Sequence, residues 1–471
     1  MGPGSKPLIS AGAHYSAGEM VSLSFYGGVG EIGGNKILLE DGDIRVWLDF
    51  GQSFSLGSEY YTDWLKPRGV NGLGDYLEFD LVPRLKGLYS REMLEGSSLC
   101  YEEPAFDGVF LSHAHFDHVN HLCFVDPTIP VYLGAGTRLF VKAMEETSPT
   151  RYGEHPYKTF RTGHRIRLDD TEFEPIHVDH SIPAAYGYII HTSEGSVVYT
   201  GDLRVHGPRR QMTEEFFEAA AYVEPAAMIT EGTRMEVKSR RRNLSEAQVL
   251  QGVKEVCAEA SREGRSILYT HGPRDMDRLR TFHSAAESCG RSMVVNTRTA
   301  YLLSRLVEDE HLDLPDPATD DLVSVYFKRK KGGGYDDRDY YVWERPFMGR
   351  MVTSEDLRGR PGEFIVNLDF SSFTELIDIR PEAGSHFIYS MSEPFGEEDI
   401  EGQVLQNWLS HFGLRYHQLH ASGHIGRQEL GEAIRMIRPA RLFPVHTENP
   451  SMFNEIHGNV VQPVLGETYK L

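Results

Sequence analysis

Leu111-Ser112-His113-Ala114-His115-Phe116-Asp117-His118 sets three histidines and an aspartate within six positions, directly after the apolar run Gly108-Val109-Phe110. That order predicts a buried strand running into a histidine-rich loop. Residues two apart at a strand end aim their side chains the same way. His113 and His115 can therefore serve one point, and a following turn can bring Asp117 and His118 to a second point nearby. Two such points make a two-metal site. The competing reading is a surface loop with coincidental histidines, and the apolar strand in front of the motif argues against it.

Four ligands do not complete two sites, so the rest must come from further along. Val178-Asp179-His180-Ser181-Ile182-Pro183 offers His180, and Val198-Tyr199-Thr200-Gly201-Asp202 puts Asp202 at a strand end, where a carboxylate can bridge two ions. Pro444-Val445-His446-Thr447 offers His446, again after an apolar strand. A single His or Asp of this kind is usually structural. The order and context of the whole set carry the reading.

Working outward, residues 22–26, 36–39 and 44–48 read as strands, with a glycine-rich turn after the first. That turn, Gly28-Val29-Gly30-Glu31-Ile32-Gly33, is a literal match to the dinucleotide fingerprint, and Asp49 follows at a suitable distance. The fingerprint works only where its last glycine opens a helix. Here Gly34-Asn35 leads into Lys-Ile-Leu-Leu, another β-prone run, so a β-hairpin is predicted instead. Further β-type runs are predicted at 131–133, 189–190 and 197–200. Between 244 and 310 the texture changes to alternating helix and strand, with Ser245 as a helix N-cap, which implies βα units around a parallel sheet. A loop is predicted over 328–339, β structure over 364–389, helices over 402–412 and 428–437, and a closing strand over 441–445. The βα block therefore looks inserted into the first domain. The expected division is 1–232 and 400–471 for the two parts of one domain, with the insert at 233–399.

The bulk composition is that of a soluble globular protein. The 471 residues are 40% hydrophobic and 25% charged, and no stretch approaches the roughly 20 apolar residues of a membrane helix. The opening Met1-Gly2-Pro3-Gly4-Ser5 resembles a cloning remnant rather than a fold element. Cys100, Cys123, Cys257 and Cys289 contain no CxxC pair, so neither a disulfide framework nor a thiolate zinc site is expected, and reduced thiols in a cytoplasm are. The net charge of −21 argues against nonspecific nucleic-acid binding but leaves room for a locally basic groove. The two dense basic runs, 238–242 and 328–331, are candidates for such a groove or simply solvated loops. Tyr340, Tyr341 and Trp343 beside the second run can stack bases or fill a core.

HxHxDH, then a lone His, then a strand ending in Gly-Asp, resembles the metallo-β-lactamase superfamily. Thr230-Glu231-Gly232-Thr233, His420-Ala421-Ser422-Gly423-His424 and Pro444-Val445-His446 resemble the three signature motifs of its β-CASP branch. The hairpin segment Gly27-Gly28-Val29-Gly30-Glu31-Ile32-Gly33-Gly34-Asn35 and the run 179–188 are similar to ribonuclease J proteins, in particular the short archaeal type. The likeness spans nearly the whole chain. It implies an α/β fold, a metallo-β-lactamase αββα sandwich with an inserted β-CASP α/β domain. It also implies two Zn2+ per chain (the donors suit Mn2+ too), one held by His113, His115 and His180, the other by Asp117, His118 and His446, with Asp202 bridging. Asp49 would orient the site from behind, Asp117 and His424 would act in catalysis, and Glu231 would support His424. His420, Ser422, Gly423 and Ser392 would contact the substrate, and 270–274 would line the groove. The implied activity is hydrolysis of single-stranded RNA, mainly 5′-to-3′, with internal cutting a further option. A single-stranded DNA nuclease of the same branch and a thioester or lactone hydrolase are the alternatives. The implied assembly is a homodimer. Bacterial relatives usually carry a further C-terminal domain, whereas this chain ends at Leu471.

Overall fold

The computed structural model describes residues 20–62, 64–149, 151–236, 244–392 and 400–471. The basic run at 238–242 and the first five residues lie outside these. Two sheets stack face to face. The first has seven strands in the order Thr468–Lys470, Ser22–Gly27, Lys36–Asp41, Ile44–Leu48, Gly108–Phe110, Val131–Gly134 and Tyr157–Phe160. The second has six: Arg441–Val445, Ala227–Glu231, Gly195–Tyr199, Ala185–Thr192, Thr171–Val178 and Ile166–Leu168. Both chain ends contribute, because Thr468–Lys470 pairs antiparallel with Ser22–Ser24 and Arg441–Val445 pairs parallel with Ala227–Glu231.

The alternating strands explain the layers. Leu23, Phe25, Ile37, Phe110, Phe173, Tyr188, Val197, Ile229 and Phe443 bury one face of each sheet against the other, and Phe110 stacks on Phe173 at 3.9 Å between ring centroids. The outer face of the second sheet is covered by helices Arg210–Tyr222 and Arg427–Ile437 through Phe216, Leu430 and Ile434. Helix Ala135–Thr147 buries Phe140 and Val141 on the other side, with Val109 and Leu133 of the first sheet. Helices, sheet, sheet and helices give an αββα sandwich.

A third sheet of seven strands, from Ile267–His271 to Arg415–Gln418, is parallel throughout. Its helices follow the expected signals. Ser245 closes a capping box with Gln248 at the start of Glu246–Glu263, and Gly264 ends that helix at φ 66°, the left-handed C-cap that favours glycine. Two stretches differ from the sequence reading. Between Phe364–Asn367 and His386–Ser390 the chain is not extended but forms the short helical pieces Phe370–Glu375 and Leu376–Ile379, because the β-type residues Phe373, Leu376 and Ile379 fill a core below the sheet. The boundary expected at 399 falls before helix Ile400–Phe412 and strand Arg415–Gln418, yet Leu405 and Leu409 pack with Phe387, and the strand pairs with His386–Ser390. An amphipathic helix carries no mark of which sheet it will cover, so the sequence reading gave this one to the first domain.

Candidate metal centre between the domains

Four strands of the second sheet, Thr171–Val178, Gly195–Tyr199, Ala227–Glu231 and Arg441–Val445, run in one direction. Their C-terminal ends present His180, Asp202, Glu231 and His446 in turn. In the first sheet the parallel strands Ile44–Leu48 and Gly108–Phe110 end just before Asp49 and the histidine loop. One helical turn, Phe116–Val119, then brings Asp117 and His118 back toward His113. Asp49 and His446 both adopt left-handed backbone, φ 59° and 52°, a conformation that non-glycine residues hold only under constraint.

The expected ligands converge. His115 Nδ1 lies 3.0 Å from His113 Nε2 and 3.0 Å from His180 Nε2. His446 Nε2 is 2.9 Å from Asp117 Oδ2. Asp202 is central: its Oδ2 is 3.2 Å from His118 Nε2, 3.7 Å from His113 and His446, and 3.9 Å from His180. Single donor atoms of His113, His115, His180 and Asp202 form one compact group, and those of Asp117, His118, Asp202 and His446 another, each with all atoms within 4.8 Å.

The hydrogen bonds behind the ligands fix which ring nitrogen faces inward. His118 Nδ1 donates to Asp49 Oδ2 at 2.7 Å, and His180 Nδ1 donates to the Gly423 carbonyl at 2.6 Å. Thr233 Oγ1 donates to Glu231 at 2.7 Å and accepts from His446 Nδ1 at 2.8 Å. Ser112 Oγ donates to Asp49 at 2.7 Å and accepts from His113 Nδ1 at 3.0 Å. Each of these imidazoles therefore turns an Nε2 lone pair to the centre, the arrangement metal-bound histidines show. Burial, with the neighbouring imidazoles, pushes His113 and His180 far below the ordinary histidine range, and burial takes His115 to about 3. These three rings are neutral. His113 Nε2 and His180 Nε2 both face His115 Nδ1 at 3.0 Å, an atom that carries at most one proton for the two of them, and both Asp202 oxygens and His118 Nε2 are buried with no hydrogen-bond partner. The donor set fits divalent metal, since tetrahedral bonds of 2.0–2.1 Å place ligand atoms roughly 3.3 Å apart.

Glu231 and His424 stand beside this centre. Glu231 Oε1 accepts from Leu203 N at 2.9 Å, and its Oε2 accepts from His424 Nδ1 at 2.9 Å. His424 is 21% exposed at its side chain, against 1% for Glu231 and Asp202. Burial pulls this imidazole down, but the carboxylates of Glu231 and Asp202 more than offset it and hold the ring at about 9.

The other expected residues fall into place unevenly. Gly423 touches His180 so closely that a Cβ would lie 3.0 Å from its ring. Ser422 Oγ accepts from His424 N at 3.1 Å, and His420 Nδ1 donates to the Ser390 carbonyl at 3.2 Å. Ser392 is exposed just past strand His386–Ser390. Of the aromatic trio, Tyr340 is a core residue, whereas Tyr341 lies on the surface, 66% exposed and parallel to the Trp343 ring. Arg274 reaches from the third sheet to the Ala114 carbonyl at 2.9 Å. The glycine-rich turn has a part that the rejected fingerprint concealed: Gly34 N donates to Asp117 O, Gly28 O accepts from His446 N, and a Cβ on Gly33 would strike Asp117 at 2.8 Å.

Ser112, Tyr199 and Thr233 hold the centre together but were not singled out from sequence, nor was the junction between domains. Arg204 is fully buried and binds Asp179 at 3.2 Å, Glu246 at 2.8 Å and Asp277 at 2.6 Å. Arg278, also buried, shares Glu246 at 3.1 Å and approaches the Ala421 carbonyl at 3.4 Å. The Ser422 carbonyl accepts from His206 at 2.8 Å. This network fixes the 420–424 loop against the first domain. Replacing Arg204 by Met takes from Asp179 its arginine side chain, while Glu246 keeps Arg278 and Asp277 keeps Arg209 and Arg280, and a loss of about 3 kcal/mol of stability is expected, measured by urea unfolding.

An αββα sandwich whose strand ends carry this His/Asp set defines a metallo-β-lactamase-type metallohydrolase. The family described as a β-lactamase superfamily domain matches residues 88–261, and the one described as a Zn-dependent metallo-hydrolase RNA specificity domain matches 413–453. The chain is 26% identical to ribonuclease J of Sinorhizobium meliloti over 93% of its own length and 71% of that protein's. It is 23% identical to ribonuclease J of Helicobacter pylori strain J99 over 91% of its own length and 56% of that protein's. A crystal structure of an Enterococcus faecalis protein of unknown function shares the fold, with a TM-score of 0.76, 22% identity and coverage of 96% of this chain and all of the other. Over about nine-tenths of its length the chain is thus similar to ribonucleases J, and it carries both a β-lactamase superfamily domain and a metallo-hydrolase RNA specificity domain.

Proposed function

We propose that the chain is a zinc-dependent ribonuclease acting on single-stranded RNA, mainly as a 5′-to-3′ exonuclease. The observation that carries this reading is Asp202: a buried carboxylate with no hydrogen-bond donor of its own, ringed by four inward-facing imidazoles at 3.2–3.9 Å. In the proposed roles His113, His115 and His180 would hold one ion and Asp117, His118 and His446 the other, with Asp202 placed to serve both. The chemistry such ions would supply there is neutralisation of the charge building on a phosphodiester and acidification of a water molecule.

The chain's own residues supply the remaining steps. Asp49 keeps His118 in the correct tautomer and orientation. Glu231 holds His424 protonated at neutral pH through Nδ1, leaving the other ring nitrogen free to deliver a proton to the departing ribose oxygen. The Gly423 and Ser422 positions, fixed by His206 and Arg204, bring the loop against the scissile phosphate. Free thiols at Cys100, Cys123, Cys257 and Cys289 support a reducing, cytoplasmic setting. Among the described residues no helix is long and apolar enough to cross a membrane.

The test is digestion of 5′-monophosphate and 5′-triphosphate RNAs labelled at each end in turn, beside single-stranded DNA of the same sequence. Mononucleotides released first from the 5′ end of RNA are expected. Equal or faster turnover of the DNA, or internal fragments alone, would replace this reading.

A further inference from the structure

A second group of metal-type donors lies on the third sheet, on none of the elements that carry the central site. Glu259 and Glu263 stand one turn apart on helix Glu246–Glu263 and share a face. His386 opens strand His386–Ser390, and the parallel register, which pairs Ile388 with His417, puts both imidazoles on one face of the sheet. The rings stack, with 16° between their planes, and His386 Nδ1 is 3.0 Å from His417 Nε2.

His386 is fully buried, yet its Nε2 has no hydrogen-bond partner. The nearest carboxylate oxygen, on Glu263, is 3.8 Å away, beyond hydrogen-bonding reach. In the tautomer that donates Nδ1–H to His417, the Nε2 lone pair faces two carboxylates. One donor atom each from Glu259, Glu263 and His386 lies within 4.8 Å of the others. Arg415 accounts for the carboxylates, with Nη1 at 2.8 Å from Glu259 and 3.1 Å from Glu263. It does not account for a buried imidazole nitrogen aimed at them with nothing between.

We propose that Glu259, Glu263 and His386 form a further divalent-metal site, of zinc-type chemistry, with His417 orienting His386 and Arg415 competing for the carboxylates. One imidazole and two carboxylates suit zinc, whose bonds to them run about 2.0–2.2 Å. The two glutamates are 41% and 33% exposed at their side chains, free enough to close on an ion as Arg415, itself 43% exposed, swings out. His386 begins the strand that Ser390 ends, so the ion would lie at the end of the strand away from the 420–424 loop. Its role is structural: it would pin helix Glu246–Glu263 to two strands of the sheet.

The experiment is zinc counting by native mass spectrometry on the whole protein, comparing the parent chain with Glu263→Gln, His386→Asn and Arg415→Gln. Both ligand variants are expected to bind one zinc fewer than the parent, and Arg415→Gln to hold that ion at least tenfold more tightly. Only the difference is read, so the result does not depend on how many ions the central site takes. Because His386 is buried and its replacement can disturb folding, the partly exposed Glu263 carries the decision. Equal zinc in the parent and Glu263→Gln, or no tightening in Arg415→Gln, would leave the cluster as a plain ion pair and overturn the site.

Discussion

Asp202→Ala is expected to empty the central site of both ions and to lower RNA cleavage by roughly 10³-fold or more, the scale at which a two-metal clamp acts. The geometry requires a joint loss. Asp202 Oδ2 lies within 3.9 Å of one imidazole pair from each ligand group: His113 and His180 on one side, His118 and His446 on the other. Two dications close together would repel strongly in a buried, weakly screened pocket, and in the proposed arrangement the Asp202 carboxylate would be the charge that lets both stay. Loss of an outer ligand such as His180 removes one of several bonds to one ion. Loss of the bridge removes a bond from each and restores their mutual repulsion. Elemental analysis of the purified variant should find two ions per chain fewer than in the parent, with far-ultraviolet circular dichroism unchanged. Two ions retained, or one lost cleanly with cleavage near the parent rate, would show that Asp202 does not bridge.

The parts legible in the sequence are those that depend on local order. HxHxDH after an apolar strand, and His180, Asp202 and His446 each at the end of an apolar run, are patterns in which strand geometry already aims the side chain. The structure brings all of them together. The hairpin at Gly28–Asn35 was legible for the same reason: a β-prone run, not a helix, follows the glycines. What stayed hidden depends on contacts between distant segments. Nothing in the residues around Arg204 marks it as buried among Asp179, Glu246 and Asp277, since a charged side chain is ordinarily solvated and only the docked domains remove the water. Thr233 lies inside a motif that points to Glu231, yet its hydroxyl ties Glu231 to His446 across more than 200 residues of chain. Helix Ile400–Phe412 shows the same limit for the fold, because its apolar stripe fits either sheet.

His424→Ala is expected to keep the fold and both ions while slowing kcat by about 10²–10⁴-fold, the range for loss of a positioned proton donor. His424 lies outside the two groups built on His113 and on His118; it joins Asp202, Glu231 and His446 in a third set of donor atoms. Its Nδ1 is spent on Glu231 at 2.9 Å, and the burial that would neutralise the ring is outweighed by the Glu231 and Asp202 carboxylates, so the imidazole is held near 9 and enters the reaction charged. A purely structural histidine at this place would cost stability or metal, and its loss would slow all substrates alike. A proton donor fails selectively. RNA carrying a 3′-bridging sulfur, whose thiolate leaves without protonation, should be cut by His424→Ala at nearly the parent rate, whereas ordinary RNA should not. If the variant is equally impaired on both substrates, His424 positions the phosphate rather than protonating the leaving group. If it cuts ordinary RNA as fast as the parent, the imidazole has no part in the chemistry.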